Sequence, residues 1–221
     1  MSKIKILFIG NSHTYYNSMP EMVKELLEYT GVRTHVTMST EGGKGLIYHC
    51  DRKDVNFNIR YGEYDVVVLQ DKASNFNADD FKTGGRILMK NSLGESKARR
   101  VLYMIWARRD EKERQAYITD AYTTLGTEIG AAVAPAGEVW HKILRESLEM
   151  ENLLYRPDGN HATPLGSYLA ATTLFYTITG RKRPIVLKEG AEPSTRLDID
   201  LETARRIHKE ACAMVCKFRE E

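Results

Sequence analysis

Cysteine is scarce, with three in 221 residues, too few to close a disulfide framework. Cys212 and Cys216 lie four apart in a charged, helix-like segment and so share one helix face. A metal reading of that pair needs further ligands, and His208 alone does not supply them, so small buried apolar side chains are the expectation. An excess of one charge is lacking too: Lys plus Arg number 32 against 30 Asp plus Glu. That balance gives no field to draw nucleic acid or a membrane surface, leaving a small molecule or a polymer end as the expected partner. No apolar run reaches membrane-spanning length, no stretch is low in complexity, and no period of 20–50 residues repeats. The opening Met1-Ser2-Lys3-Ile4 has no basic stretch leading into an apolar one. A reducing cytoplasm is therefore the expected compartment. Nor do the glycines form either of the phosphate-binding spacings.

What is present suits one α/β domain over residues 1–221, with 42% apolar residues to build a core. Ile4 to Ile9 is a short run rich in β-formers, as expected of a strand covered on both faces. Ser18-Met19-Pro20-Glu21 reads as a capping box, with Ser18 as N-cap, opening a helix that Gly31 stops. Further strands are expected at Val32–Met38, Tyr64–Leu69, Val101–Trp106 and Ala131–Ala134, and helices at Asp79–Met89, Glu111–Ile129 and Glu138–Met150. Thr163-Pro164 caps a helix whose apolar face (Leu165, Tyr168, Leu169, Thr172, Phe175, Tyr176) ends at Gly180, and Asp198–Phe218 closes the chain. Strands alternating with helices predict a three-layer α/β/α fold with a parallel sheet of about five strands. Ligands bind such sheets beyond the carboxyl ends of the strands.

Three segments fall at those ends: Gly10-Asn11-Ser12-His13-Thr14 after the first strand, a turn containing Gly42 and Gly43 after the second, and Gln70-Asp71 after the third. A fourth, Asp158-Gly159-Asn160-His161, lies far along the chain. A serine hydroxyl needs an adjacent base, histidine suits that role, and the imidazole needs a carboxylate on its other nitrogen. Ser12 as nucleophile, His161 as base and Asp158 as its orienter satisfy all three needs. The oxyanion that develops on an attacked carbonyl requires donors already aimed at it. The N–H groups of Ser12 and Gly43, with Gly42 as the alternative, and the side-chain amide of Gln70 are the candidates. His13 and Asn11 beside the nucleophile, and Trp106 after the fourth strand, are assigned to the substrate pocket. His49 and His141 are expected to be structural or surface groups, and Glu111 to Arg114 a solvated helix face. Arg108 and Arg109 either line the cleft or are solvated.

Ile6-Leu7-Phe8-Ile9-Gly10-Asn11-Ser12 resembles the first block of the SGNH/GDSL hydrolases, a strand followed by Gly-Asp/Asn-Ser. Asp158-Gly159-Asn160-His161 resembles their last block, Asp-x-x-His, and the Gly42-Gly43 turn resembles the second, whose glycine supplies an oxyanion N–H. The resemblance runs from residue 6 to residue 161 and implies a flavodoxin-like sheet and ester hydrolysis through an acyl-enzyme, without metal or organic cofactor. It further implies a short acyl group such as acetate on a carbohydrate. The third block departs from the family's Gly-x-Asn: this chain has Val68-Leu69-Gln70-Asp71-Lys72-Ala73-Ser74-Asn75, with Gln70 or Asn75 in the donor's place. That departure admits a catalytically silent ligand-binding relative as an alternative, and acyl transfer to an alcohol is another.

Overall fold

The computed structural model describes residues 3–147, 149–188 and 199–220. Its centre is a sheet of five parallel strands, β1 (Ile4–Gly10), β2 (Thr34–Thr40), β3 (Val66–Leu69), β4 (Arg99–Tyr103) and β5 (Ala132–Ala134), in the order β2-β1-β3-β4-β5. The helices are α1 (Ser12–Tyr15), α2 (Met19–Tyr29), α3 (Leu46–His49), α4 (Lys53–Tyr61), α5 (Ala78–Leu88), α6 (Gln115–Ile129), α7 (Ala136–Glu146), α8 (Met150–Leu154), α9 (Pro164–Thr179) and α10 (Leu201–Glu220). Because strand side chains alternate, the sheet feeds two separate cores. Ile6, Phe8, Val66, Val68, Val101 and Tyr103 join the faces of α2, α7, α9 and α10. Leu7, Ile9, Val67, Leu69 and Leu102 join α4, α5 and α6 on the other side. The fold is therefore the expected three-layer α/β/α arrangement. No helix among the described residues is long and apolar enough to cross a membrane.

Several boundaries differ from expectation, each for a local reason. Val32 is not in β2, because its N–H donates to Leu27 O and closes α2, with Gly31 at φ +83°. Tyr64 precedes β3, and β4 ends at Tyr103, so Trp106 lies in the loop beyond the sheet. The helix expected at 111–129 begins at Gln115 after a 3-10 turn, and that expected at 138–150 is two helices, α7 and α8. Ser18 is no capping side chain: it sits at φ 53° and makes no cap bond to α2. Thr163 does cap α9, its hydroxyl accepting Gly166 N–H at 3.2 Å. That helix is not amphipathic as expected, since every residue from Gly166 to Ile178 is buried between α2, α7 and α10. The start expected for the last helix, Asp198, lies outside the described residues.

Candidate active site

The carboxyl ends of β1 and β3 are laced together around Gln70, which is fully buried. Its Oε1 accepts Asn11 N–H at 2.9 Å and Thr14 Oγ1–H at 2.8 Å, and its Nε2 donates to Asn11 Oδ1 at 3.1 Å and to Asp71 O. Gly10 is required here, because any Cβ would overlap Gln70 Oε1 and Thr14 Oγ1. Asn11 completes the lacing: its Oδ1 accepts His13 N–H at 3.1 Å and its Nδ2 donates to Lys44 O at 2.8 Å. Ser12 is thereby fixed as the first residue of α1.

A tight loop between Tyr155 and Ala162, which form an antiparallel bridge, faces Ser12. Gly159 turns it at φ +65°. Asp158 Oδ1 accepts the N–H groups of Asn160 and His161, both at 2.9 Å, and its Oδ2 lies 2.6 Å from His161 Nδ1. His161 Nε2 in turn lies 2.8 Å from Ser12 Oγ. Partial burial pushes the Asp158 carboxyl upward, but the bonds from His161 and from the two N–H groups outweigh it and hold the group below the usual carboxylate range. An ionised carboxylate only accepts, so the proton sits on Nδ1 and the Nε2 lone pair faces the serine hydroxyl. Asn160 O pins the loop by accepting from Trp106 Nε1 at 3.0 Å and His13 Nε2 at 3.2 Å. Asn17 Nδ2 adds donations to Ala162 O at 3.0 Å and Ser167 Oγ at 2.8 Å.

Ser12, Asp158 and His161 are thus brought together, with the serine and the histidine 149 positions apart in the chain. Gly43 stands exposed at φ +70° in the turn after β2. Glu41 N–H donates to Gly10 O at 3.0 Å, and with the Asn11–Lys44 bond it holds that turn beside the serine loop. Four of the expected assignments are corrected. Gln70 has no N–H left for a ligand, since both are spent on Asn11 and Asp71. Asn11, buried, is a brace with every polar group engaged. Trp106 is fully buried, stacked on Trp140 at 4.1 Å and 7°, and contacts no open pocket. His13 is buried beneath His161, ring centroids 5.2 Å apart. Burial and the nearby His161 drive its imidazole down to about 3, so it is a neutral support and not a base. Asn75 is exposed at φ 53° in the loop after β3. Of the remaining histidines, His49 and His141 are buried, and His208 is held between the hydroxyls of Tyr168 and Tyr176 at 3.0 and 2.8 Å.

Sequence reasoning missed Asp71 as a working residue, although it noted the pair Gln70-Asp71. Its buried carboxyl accepts Leu46 N–H at 2.8 Å and Lys72 N–H at 2.7 Å, anchoring α3 and the turn that precedes it. Burial pushes this carboxyl up to about 6. The available signal was a charged residue placed directly behind a fully apolar strand. Tyr16 and Arg156 were also missed. The Tyr16 ring lies 4.7 Å from that of His161 and carries the Arg156 guanidinium 5.1 Å above it.

Solved structures share this architecture. A DUF4886 family protein from Bacteroides uniformis ATCC 8492 superposes with a TM-score of 0.73 at 19% identity, over 97% of this chain and 95% of that one. A proposed SGNH hydrolase from Slackia heliotrinireducens gives 0.64 at 23% identity, over 80% and 100% of the two chains. A catalytic mutant of Axe2, an acetylxylan esterase from Geobacillus stearothermophilus, gives 0.62 at 14%, over 79% and 94%. The chain has the SGNH/GDSL hydrolase fold. No family model and no curated protein sequence matches it.

Proposed function

We propose that the protein is a serine esterase that works through an acyl-enzyme on Ser12. The observation that carries this reading is the continuous chain of contacts from Ser12 Oγ through the two ring nitrogens of His161 to Asp158, at 2.8 and 2.6 Å. His161 Nε2 takes the hydroxyl proton as Oγ attacks the ester carbonyl, and Asp158 stabilises the resulting imidazolium. The tetrahedral oxyanion meets the backbone N–H groups of Ser12 and Gly43, a hole of two donors now that Gln70 is committed elsewhere. Collapse breaks the bond to the alcohol, which leaves with the proton from His161. Water then attacks the acyl carbon as His161 takes its proton; the bond from that carbon to Ser12 Oγ breaks, the acid departs, and Oγ recovers the proton from His161. A short acyl group on a carbohydrate is the substrate class in view, in keeping with the acetylxylan esterase among the structural neighbours.

The test is labelling with a fluorophosphonate, followed by acetate release from p-nitrophenyl acetate and acetylated xylo-oligosaccharides. Wild type should be labelled, Ser12→Ala should not, and His161→Ala should lose about 10²–10⁴-fold in kcat while remaining folded. An unlabelled wild type, folded and at neutral pH, would overturn the reading in favour of a ligand-binding protein.

A further inference from the structure

In an ester hydrolysis of this kind the imidazole delivers its proton to the departing alcohol, so the alcohol portion of the substrate lies on the His161 side. Besides the buried His13, the ring beside His161 is that of Tyr16, and the Arg156 guanidinium lies over Tyr16. Arg156 is exposed, and no carboxylate among the described residues stands within ion-pair distance of it. Its neighbours differ: Arg108 lies 3.1 Å from Asp110, Arg109 lies 3.6 Å from Glu151, and Lys112 also pairs with Glu151. Arg156 is also tied to the base, because its backbone N–H donates to His161 O at 2.8 Å. The same side chain lines a cavity of about 760 Å³ together with Asn17, Asn152 and Tyr155. A planar guanidinium with its charge uncompensated, lying over an aromatic face beside an open cavity, is suited to a carboxylate or phosphate held by two parallel N–H···O bonds.

We infer that Arg156 and Tyr16 form a leaving-group subsite that selects esters whose alcohol carries an oxyanion, carboxylate or phosphate. This rests on the hydrolase reading of Ser12, Asp158 and His161. Arg156 touches no reacting atom; it determines specificity. Tyr16 supplies the surface on which the alcohol's carbon skeleton lies, and Asn152 offers its amide to the alcohol's hydroxyl groups, whereas both N–H groups of Asn17 are engaged by Ala162 and Ser167.

The experiment compares kcat/KM for 4-acetoxybenzoate and 4-acetoxyphenyl phosphate with that for neutral 4-acetoxybenzamide, each divided by its rate with hydroxide so that intrinsic lability cancels. Wild type should favour the anionic esters by about tenfold or more, and 1 M salt should erode the preference. Arg156→Gln should bring the ratio close to one, and Arg156→Lys should keep part of it. Because it compares two substrates on one sample, the ratio is insensitive to how much of a variant folds. Monophenyl succinate, charged on its acyl side, should gain nothing. Preference for one anionic ester over the other tells carboxylate from phosphate. A wild-type ratio near one, or an undiminished ratio in Arg156→Gln, overturns the subsite. Titration of wild type and Arg156→Gln with 4-hydroxybenzoate and 4-hydroxybenzamide, followed by NMR, decides the matter without turnover. Tighter binding of the anion that is lost in the variant supports the subsite, and equal binding refutes it. If no ester is turned over and no phosphonate label forms, the hydrolase reading fails, and the titration still decides the subsite.

Discussion

Replacing Gln70 with alanine separates two kinds of residue that look alike in an active site, a donor to the transition state and a brace. The side chain is fully buried and takes part in four hydrogen bonds. Its loss strands Asn11 N–H and Asp71 O, while Thr14 Oγ1 can rotate and Asn11 Oδ1 keeps the N–H of His13. Each stranded buried group costs roughly 1–3 kcal/mol, and the space vacated adds to that. The expected loss is about 3–6 kcal/mol, a large fraction of the roughly 5–15 kcal/mol that holds a domain together. For a chain of this size that corresponds to a melting temperature lower by about 10 °C or more. Calorimetry or urea titration gives the stability, and kcat is referred to sites counted by phosphonate labelling. A variant with wild-type stability but about 10²-fold lower kcat would refute the bracing argument and return Gln70 to the oxyanion.

Asp158→Asn should lower kcat by about 10⁴-fold, because an amide that donates to Nδ1 leaves the proton on Nε2, facing Ser12. The same exchange has a stability signature. The folded-state carboxyl titrates below the unfolded one, so its contribution is present above about pH 4 and is lost as pH falls; urea midpoints of wild type and variant should converge only below that pH. Asp71 has the opposite sign. Its carboxyl titrates at about 6 in the fold and near 4 when unfolded, so the folded state holds the extra proton and stability declines as pH rises between those values. Asp71→Asn should flatten that slope in urea midpoints measured from pH 4 to 7.

Much of the site was legible in the sequence because its chemistry is local. Asp158, Gly159 and His161 lie within one four-residue turn, and an Asp-Gly pair advertises both the turn and the φ of +65° that Gly159 adopts. Ser12 was legible as the residue after an apolar strand. Gln70 was misread because an amide side chain serves equally as donor or brace, and only the position of Asn11 and Thr14, some 56–59 residues away, decides between them. Trp106 was misread because its partner Trp140 comes from α7, 34 positions further along the chain. The burial of α9 was hidden by its threonines, which look polar. Thr173 and Thr177 each donate to a carbonyl one turn back, Leu169 O and Thr173 O, at 2.9 Å. Their hydroxyls are thereby satisfied inside the helix and present methyl groups to the core.

His161 stands two positions before Thr163, the cap of α9, and α9 is the helix most completely enclosed by its neighbours. The imidazole is thus moored to the stiffest timber of the molecule, and a shift in it would require repacking both Gly166 against Trp140 and the layer behind. Whatever adaptation this scaffold undergoes toward new esters must therefore come from the opposite bank, where the exposed turn of Gly42 and Gly43 can change without disturbing the base.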